Sequence, residues 1–590
     1  MFVAAMGLLW AGYARAYVLS ADSLGRNKTW PISTPEFIAH AGNANGLSAS
    51  SVFSSITNSL HYWKHAGTTS MGFDYRQGTT TVNPAVSYDG RNVIYFQSQG
   101  GGGLGAGVIG VTYLYSSGSA ILETDIVFND RDFRFTTNPA DTTNLSGSSR
   151  VFLESVATHE LGHAYGLSHS NSQQSSMMWQ ESQGQSKPSC DDLAGMAMLY
   201  PQSAFTTQTG QLSGVVRSAD GSTAVFGAHV QAISRFRGTV VAAAITGPSG
   251  AFSISNLEPG VYHLLVEPFT NAVSSLCGGS SSGCYFGGAN AASICGGSPF
   301  KRFFISGASA GIAASYTVST GGTTGAGFVN VSCGAMSHSF AGTAAVGTAP
   351  QVLNAAVATG AAAFGVFGAV GNAHYYKIAN VPAGAAVKAQ ALSFSLYSKV
   401  DAAVQIFEAD GVTALGSAVG DVFSNASGYV NCDASAQGTQ GGVMTDLYMK
   451  VTYGANLGTF ANLYRYPGSS AVDGVAYYML IAKVNDMAAA VQVAGSDVLT
   501  QNTRCEKSYA ANTYADRGPP SALTQSASSA SSSGMGDAIK KVKGGCGVIQ
   551  GARSHDEGPW NGGAMAQLFS TWGLLLLLSM ARLAFKFARR

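Results

Sequence analysis

The sequence predicts a multidomain protein in which an α+β domain is followed by two all-β sandwich domains and a C-terminal transmembrane helix. At 590 residues the chain is several times as long as a typical domain. Helical and strand patterns alternate up to about Pro201, and short strands and turns follow. Near the C-terminus, the uncharged, mostly apolar run Ala564–Ala581 is close to the shortest length that spans a bilayer.

The N-terminus is predicted to be an export signal over residues 1–16. A short apolar run there ends in Ala14-Arg15-Ala16, the small-x-small pattern that signal peptidases read. No lysine or arginine precedes the run, which is a departure from a complete signal. We therefore expect an exported protein with an extracellular or cell-surface location, in a Gram-negative bacterium.

The chain contains eight cysteines, and in an exported protein these suggest disulfides. Four of them cluster and could form two bridges, with the pairing left open: Cys277, Cys284, Cys295 and Cys333. Cys432 and Cys505 could form another. Cys190 stands alone near the histidine-rich segment described below.

Charged residues are scarce in this chain. They make up 11% of it, and the formal net charge is +1. Proteins that bind nucleic acids usually present a basic surface, and this composition has too small an excess of cationic residues to form one. We therefore predict no nucleic-acid partner.

Residues 17–203 are predicted to form the α+β domain. The stretch LSASSVFSSITNSLHYWKHAG has apolar residues near a helical period and predicts one amphipathic helix, through Val52, Phe53, Ile56, Leu60 and Trp63. Apolar runs at Val93–Phe96, Val108–Tyr115 and Ile121–Phe128 predict strands. A second helix is expected around His159.

The segment HELGHAYGLSHS, which begins at His159, has the spacing of a metal site. His159 and His163 lie one helical turn apart, so both imidazoles can face one ion, with Glu160 beside them. A catalytic zinc needs a third protein ligand, which has to approach from another direction. Gly166 can take the left-handed conformation that ends a helix, and His169 can then return to the metal.

The pattern H-E-x-x-H-x-x-G-x-x-H resembles the signature of the metzincin zinc peptidases. The resemblance implies one catalytic Zn²⁺ held by the three histidines, with Glu160 as the general base for the attacking water. Metzincins also have a methionine turn beneath the metal, and SSMMWQ stands where that turn belongs. Met178, which precedes Trp179, is favoured over Met177 as its methionine. Ca²⁺ is possible, but the sequence does not place it.

Three further features resemble the matrixin subfamily of metzincins. A serine, Ser170, directly follows the third histidine, DDLAGMAMLYP (Asp191–Pro201) is similar to the closing helix, and ETDIVFN (Glu123–Asn129) is similar to the strand before the active-site helix. The resemblance covers roughly Trp30–Pro201 and implies the fold, peptidase activity and zinc dependence of that family. The sequence departs from it in having no cysteine-switch motif or propeptide between Ala16 and Trp30 and no proline closing the SMMWQ turn.

Two substrate contacts are expected above the metal. An extended peptide would add to an edge strand at Gly110, Val111 and Thr112. The loop around Trp179 would line the pocket for the residue after the scissile bond.

The pair Asp191–Asp192 leaves two interpretations open. In matrixins one aspartate at this place receives the ammonium of the mature N-terminus. A carboxylate at the start of a helix also commonly caps it.

Residues 208–340 and 345–505 are predicted to form the two sandwiches. In the first, GAFSISNLEPGVYHLLVEP alternates apolar positions around an EPG turn, and the module resembles the carboxypeptidase regulatory-like family. The second resembles the pre-peptidase C-terminal domains that follow secreted bacterial peptidases. Residues 506–545 lack the apolar content to fold and are predicted to be a disordered linker.

Residues 546–590 combine a Cys-Gly motif, the apolar span and an arginine cluster. Together these resemble the C-terminal sorting tails of bacterial surface proteins, whose span can be removed. A plain single-pass anchor is the alternative, and in it the cationic residues favour a cytoplasmic C-terminus. The segment therefore predicts membrane association through its helix, or release or attachment elsewhere after the tail is processed.

The sequence as a whole predicts an exported, surface-anchored zinc metalloendopeptidase acting on protein or peptide substrates. The alternative is a surface adhesin whose peptidase domain is silent or only self-processing. The intact Glu160 is the feature against that alternative.

Overall fold

The computed structural model describes most of the chain between Leu19 and Val484. The described residues are 19–20, 22, 26–64, 68–78, 84–100, 104, 108–138, 150–170, 175–178, 186–268, 290–291, 293–307, 311–334, 351–353, 361–393, 396, 398, 400–419, 422–424, 429–431, 433–456 and 476–484.

The first part of the described chain is an α+β domain. Its elements are β1 (Glu36–Ala39), α1 (Ala49–Lys64), β2 (Asp74–Gln77), β3 (Asn92–Phe96), α2 (Gln97–Gly100), β4 (Gly110–Ser117), β5 (Ala120–Phe128), β6 (Arg134–Thr136), β7 (Arg150–Phe152), α3 (Leu153–Ala164), α4 (Cys190–Leu199) and α5 (Ser203–Thr206). Five strands form one sheet in the order β2-β1-β3-β5-β4. They run parallel except for β4, which is antiparallel to β5 and forms one edge.

Helix α1 confirms the amphipathic helix predicted from the apolar spacing. Val52, Ile56 and Leu60 are fully buried on its inner face. Trp63 is also buried and donates its indole N–H to the Thr158 carbonyl at 3.0 Å, which joins α1 to α3. Helix α3 in turn packs against β4 and β5. The segment predicted to bind the metal therefore rests on a helix fixed from two sides.

The first sandwich follows the α+β domain. Its strands are β8 (Gly210–Arg217), β9 (Ala228–Ser234), β10 (Thr239–Ile245), β11 (Ala251–Leu257), β12 (Gly260–Pro268), β13 (Phe303–Phe304), β14 (Tyr316–Val318) and β15 (Thr323–Asn330). One sheet has the order β10-β9-β12-β13, with β14 also paired to β12, and the other has the order β11-β8-β15. The turn predicted at EPG joins β11 to β12 as expected.

The second sandwich is also built of two main sheets. Its strands are β16 (Gln351–Leu353), β17 (Ala361–Phe367), β18 (Ala373–Val381), β19 (Ala386–Leu392), β20 (Val400–Phe407), β21 (Ser417–Val419), β22 (Val422–Ser424), β23 (Tyr429–Asn431), β24 (Ala434–Thr439), β25 (Thr445–Asn456) and β26 (Ala476–Val484). The sheets have the orders β16-β18-β25-β20 and β17-β26-β19-β24-β21, and β22 pairs with β23.

Apolar contacts connect these parts in series. One core of buried side chains includes Leu161 of α3 and Leu264 of β12, so the α+β domain and the first sandwich share it. A second cluster joins Leu265 of the first sandwich to Ile481 of the second. Every residue of β9 and β10 is buried, which explains why both strands are mostly small and apolar.

The predicted fold class needs one correction, because it included a transmembrane helix over Ala564–Ala581. That segment lies outside the described residues. Among the residues that the structure does describe, no helix is long and apolar enough to cross a membrane. The longest of them, α1, has 16 residues and a polar face. The membrane contact predicted through such a helix is therefore not supported.

One disulfide is present among the described residues, between Cys295 and Cys333. It closes the end of the first sandwich, near the pairing of Lys301 with Ser332. Cys190, at the start of α4, is a free thiol. The remaining cysteines considered above lie outside the described residues: Cys277, Cys284, Cys432 and Cys505.

Candidate metal centre

Helix α3 ends at a turn that redirects the chain towards the metal-binding face. Gly166 has a φ of 100°, in the left-handed region, and a Cβ there would lie 2.5 Å from the Lys28 carbonyl oxygen. Its N–H donates to His163 O at 2.9 Å, and Leu167 N–H donates to Gly162 O at 3.0 Å. This pair of bonds is a Schellman motif, and it ends the helix where the sequence pattern requires.

The turn brings the three predicted histidines together. His159 Nε2 lies 3.1 Å from His163 Nε2 and 3.2 Å from His169 Nε2. One ligand atom from each imidazole lies within 4.8 Å of the others. Nitrogen ligands around one tetrahedral zinc are about 3.3 Å apart, given Zn–N bonds of about 2.0–2.1 Å. The spacing of the three atoms therefore fits a single ion of that size.

Two of the imidazoles are oriented by backbone carbonyls. His159 Nδ1 lies 2.7 Å from Ser176 O, and His163 Nδ1 lies 2.9 Å from Leu167 O. A carbonyl oxygen only accepts, so each Nδ1 carries the proton and each Nε2 presents its lone pair to the centre. Such support of the far nitrogen is usual for histidines that ligate metals.

Burial keeps these side chains neutral. It lowers the pKa of His163 to about 4, and with the neighbouring imidazoles it lowers the pKa of His159 well below its ordinary value. Metal ligation requires the neutral form of histidine. Within the described ranges, these three histidines are the only cluster of three or more His, Cys, Asp or Glu side chains spaced to share an ion. The structure therefore offers no support for calcium.

Glu160 lies next to the three histidines and contacts strand β4. Thr112 Oγ1 lies 2.7 Å from Glu160 Oε2 and 2.8 Å from the Glu160 carbonyl oxygen. A Cβ on Gly110 would lie 2.8 Å from Glu160 Oε1, so glycine leaves room for the carboxylate there. Burial raises the pKa of Glu160 to about 7. The residues predicted to bind substrate thus include two that shape the surroundings of Glu160, and Val111 between them is half-buried.

The loop after His169 supplies the methionine beneath α3. The residue in contact is Met177, because a Cβ on Gly162 would overlap its sulfur. Met178 is buried as well and pairs with Ser170 through the backbone. Sequence reasoning favoured Met178, and only the direction of the turn distinguishes the two neighbours. Trp179, predicted to line the substrate pocket, lies outside the described residues.

Asp192 fixes this loop from the start of α4. Its carboxylate accepts hydrogen bonds from the backbone N–H groups of Ser176 and Met177, at 2.7 and 3.2 Å. It also forms a capping box with Ser189, which confirms a helix-cap role for this aspartate. Because the Ser176 carbonyl holds His159, Asp192 supports that ligand through the loop. Apart from the helix cap, no sequence pattern predicts this contact.

Asp191 has partners of a different kind. Its Oδ2 accepts from Ser170 Oγ at 2.5 Å, and its Oδ1 accepts from the Ala243 N–H at 3.0 Å. Burial and the neighbouring Asp192 raise the pKa of Asp191 to about 7. Sequence reasoning considered an N-terminal ammonium or a helix cap here and missed both observed partners.

The N-terminal segment supports the imidazole of His163. Leu19 pairs through its backbone with Leu167, whose carbonyl holds His163. Trp30 donates its indole N–H to the Ala164 carbonyl at 2.8 Å, at the last turn of α3. The residues before the histidine motif are therefore part of the scaffold of the site.

Comparison with known families finds a match over the domain that carries this site. Residues 41–201 match the matrixin family model. This span contains the three histidines, Glu160 and both aspartates, and the match supports a matrixin-like metallopeptidase domain. No curated protein matches the chain.

Two solved structures are similar to parts of the chain. The pre-peptidase C-terminal domain of a collagenase from Bacillus anthracis is 14% identical, with 23% of this chain and 97% of that chain covered and a TM-score of 0.14. The major pilin SpaD from Corynebacterium diphtheriae is 12% identical, with coverage of 43% and 59% and a TM-score of 0.12. Neither score supports a functional inference, and the family resemblances of the two sandwiches stay predictions.

Proposed function

We propose that this chain is a zinc-dependent endopeptidase whose active site is formed by His159, His163, His169 and Glu160. The observation that carries the proposal is the convergence of three imidazole Nε2 atoms beside a buried carboxyl group. Three histidines leave one position of a tetrahedral site for water or substrate, as in catalytic zinc sites. A zinc ion bound there would polarise the scissile carbonyl and increase the acidity of the attacking water.

The residues of the chain would then manage the proton and the substrate. Glu160 would take the proton of the attacking water and later deliver it to the leaving amine. Thr112 would hold Glu160 Oε2 in place through the 2.7 Å hydrogen bond. The backbone carbonyls behind His159 and His163 would fix the direction of both rings, so that little reorganisation accompanies the reaction.

An extended peptide is the substrate form that fits strand β4. This strand forms one edge of the sheet, and its first residues adjoin Glu160. A peptide that added to that edge would run past the carboxylate and the three imidazoles. We therefore propose an unfolded segment or an exposed loop of a protein as the substrate.

Export is part of the same proposal. The Cys295–Cys333 disulfide supports it, because such bonds persist mainly in oxidising compartments. The export signal predicted over residues 1–16 supports the same proposal from the sequence. It lies outside the described residues.

The test is cleavage of an unfolded protein by the full chain with zinc, compared with the Glu160→Gln variant. Glutamine keeps the shape of the side chain but cannot take a proton, so the rate should fall by roughly 10²- to 10⁴-fold while zinc still binds. Glu36→Gln is the matched control, because Glu36 is an exposed glutamate of the same domain that pairs with Arg76. It should leave the rate unchanged.

Two outcomes would contradict the proposal. One is equal cleavage by the wild type and by Glu160→Gln, because Glu160 would then not be the general base. The other is absence of cleavage although one zinc binds per chain. That result would favour the adhesin or self-processing alternative.

A further inference from the structure

The start of α4 connects the candidate metal centre to the first sandwich. Asp191 is 1% exposed, and its two carboxylate oxygens face different parts of the molecule. Oδ2 accepts from the hydroxyl of Ser170, the residue after His169. Oδ1 accepts from the backbone N–H of Ala243 in strand β10. One buried side chain therefore bridges the third histidine and the sandwich.

Strand β10 has a physical reason to bond to this helix. It is an edge strand of the sheet β10-β9-β12-β13, so among the described strands its outward N–H groups have no strand partner on that side. A buried backbone N–H without a partner is costly, and Asp191 satisfies the one at Ala243. Helix α4 covers the edge, and a second bond joins Asn256 of β11 to the Ala194 carbonyl at 3.3 Å.

The two neighbouring aspartates differ in where their partners lie. Asp192 bonds to Ser175–Met177 and Ser189, all within the α+β domain. Asp191 alone of the two reaches the sandwich. Ser170 is also fixed by its own N–H, which donates to the Met177 carbonyl at 2.8 Å. The backbone after His169 is thus held by a main-chain bond and by a side-chain bond that depends on Asp191.

We propose that Asp191 is a positioning residue through which the docked first sandwich holds His169 in its metal-binding position. This rests on the proposed metal site and deepens it. The sandwich then acts as part of the active-site scaffold, because its Ala243 N–H sets the carboxylate that in turn sets Ser170. Partners one step removed from a metal ligand typically change metal affinity by roughly 10- to 100-fold when they are removed.

The first test measures zinc affinity of the full chain by competition with a chromophoric chelator, above neutral pH. Asp191→Ala should weaken zinc binding roughly 10- to 100-fold and change the visible spectrum of the Co²⁺-loaded protein. Asp191→Asn should recover most of the affinity, because an amide can still accept from Ala243 and bond to Ser170. Ser170→Ala should weaken binding as well, and the double variant should lose no more than the stronger single one.

Asn256→Ala is the matched control. It removes the other hydrogen bond between α4 and the sandwich but touches neither Asp191 nor Ser170. It should leave the zinc affinity and the Co²⁺ spectrum as in the wild type. A merely structural role for Asp191 would make Asp191→Ala behave like Asn256→Ala, and that result would overturn the proposal.

The second test examines the sandwich end of the connection. If binding at His169 and docking of β10 are coupled, zinc must strengthen the Asp191–Ala243 bond, because coupling is reciprocal. Amide hydrogen exchange of the peptide covering β10 should therefore slow when zinc is added to the wild type, and should not respond in Ser170→Ala. An equal response in both chains would overturn the coupling.

These readouts separate this inference from the proposed peptidase function. If the wild type binds zinc but cleaves nothing, the peptidase proposal fails while the affinity ratios still test Asp191. If cleavage depends on Glu160 but Asp191→Ala binds zinc as tightly as the wild type, the positioning role fails alone.

Discussion

The two sandwiches differ in what their apolar faces contact. The first shares a core with the α+β domain and meets the candidate metal centre through Asp191. The second has a core of its own and contacts the first through a separate cluster that includes Phe364 and Ile481. Modules with similar strand patterns can therefore differ in how directly they contact the candidate active site. The first is built into the scaffold of the metal centre, and the second is attached to that scaffold.

The largest expected effect comes from a matched pair of core truncations. Leu264 and Leu480 are both at most 1% exposed, one in the shared core and one in the core of the second sandwich. Leu264→Ala and Leu480→Ala should each cost about 2–5 kcal/mol of unfolding free energy. Free zinc at about 100 times its Kd should add about 2.7 kcal/mol to the unfolding free energy of the part of the protein that unfolds together with the metal site. In calorimetry, Leu264→Ala should lower the temperature of the unfolding transition that zinc raises. Leu480→Ala should lower the temperature of a transition that zinc does not affect.

Val412→Ala is the control for this pair. Val412 lies in a loop of the second sandwich and is 78% exposed, so its truncation should change neither transition. If Leu480→Ala lowered the zinc-dependent transition as much as Leu264→Ala does, the contrast between the sandwiches would be lost.

Local sequence patterns account for the core of the candidate site. The helical period places His159 and His163 on one face, and Gly166 permits the turn that returns His169. The same reasoning identified α1 and the strands β3, β4 and β5. These features depend on neighbours within a few residues, which is the range over which periodicity carries information.

Contacts between distant parts of the chain were not predictable in this way. The hydrogen bond between Asp191 and Ala243 joins residues 52 positions apart. Its donor is a backbone N–H, which does not depend on the identity of the side chain at that position. The contact of Met177 with Gly162 depends on the path of a turn, so the sequence favoured the adjacent Met178 instead. Tertiary packing decides such contacts, and a single sequence does not encode them in a readable pattern.

A smaller effect separates the two regions by their response to pH. Burial raises the pKa of Glu154 from 4.5 to about 7, against lowering effects of Asn58, Tyr62 and Lys187. The folded protein keeps this carboxyl protonated while the unfolded chain ionises, so its stabilisation is complete below pH 4.5 and is lost as pH rises through 7. At about 1.4 kcal/mol per pKa unit, the loss is about 3 kcal/mol. Glu154→Gln should remove this dependence from the zinc-linked transition.

Denaturant titrations of the metal-free wild type and Glu154→Gln between acid and neutral pH measure this difference. The histidines titrate alike in both chains, so subtracting the two curves isolates Glu154. Glu36→Gln serves as the control, because Glu36 is half-exposed and its substitution should leave the slope unchanged. Parallel curves for the wild type and Glu154→Gln would show that this carboxyl does not carry the pH response.

The smallest expected effect lies in the second sandwich, where the comparable carboxyl group is near the surface. The hydrogen bond from Lys377 lowers the pKa of Asp446, and the two side chains lie 2.6 Å apart with a quarter to a third of each exposed. Its stabilisation is therefore present above pH 3.8 and is lost only as pH falls through the lowered pKa. Asp446→Asn keeps an acceptor for the Asn380 N–H and should barely move the second sandwich's transition at neutral pH, because exposed ion pairs contribute little.

The two regions would then lose stability in separate pH ranges, the metal-centre side between pH 4.5 and 7 and the second sandwich only in stronger acid. A fall in the zinc-linked transition on Asp446→Asn would show instead that both sandwiches unfold together with the metal centre.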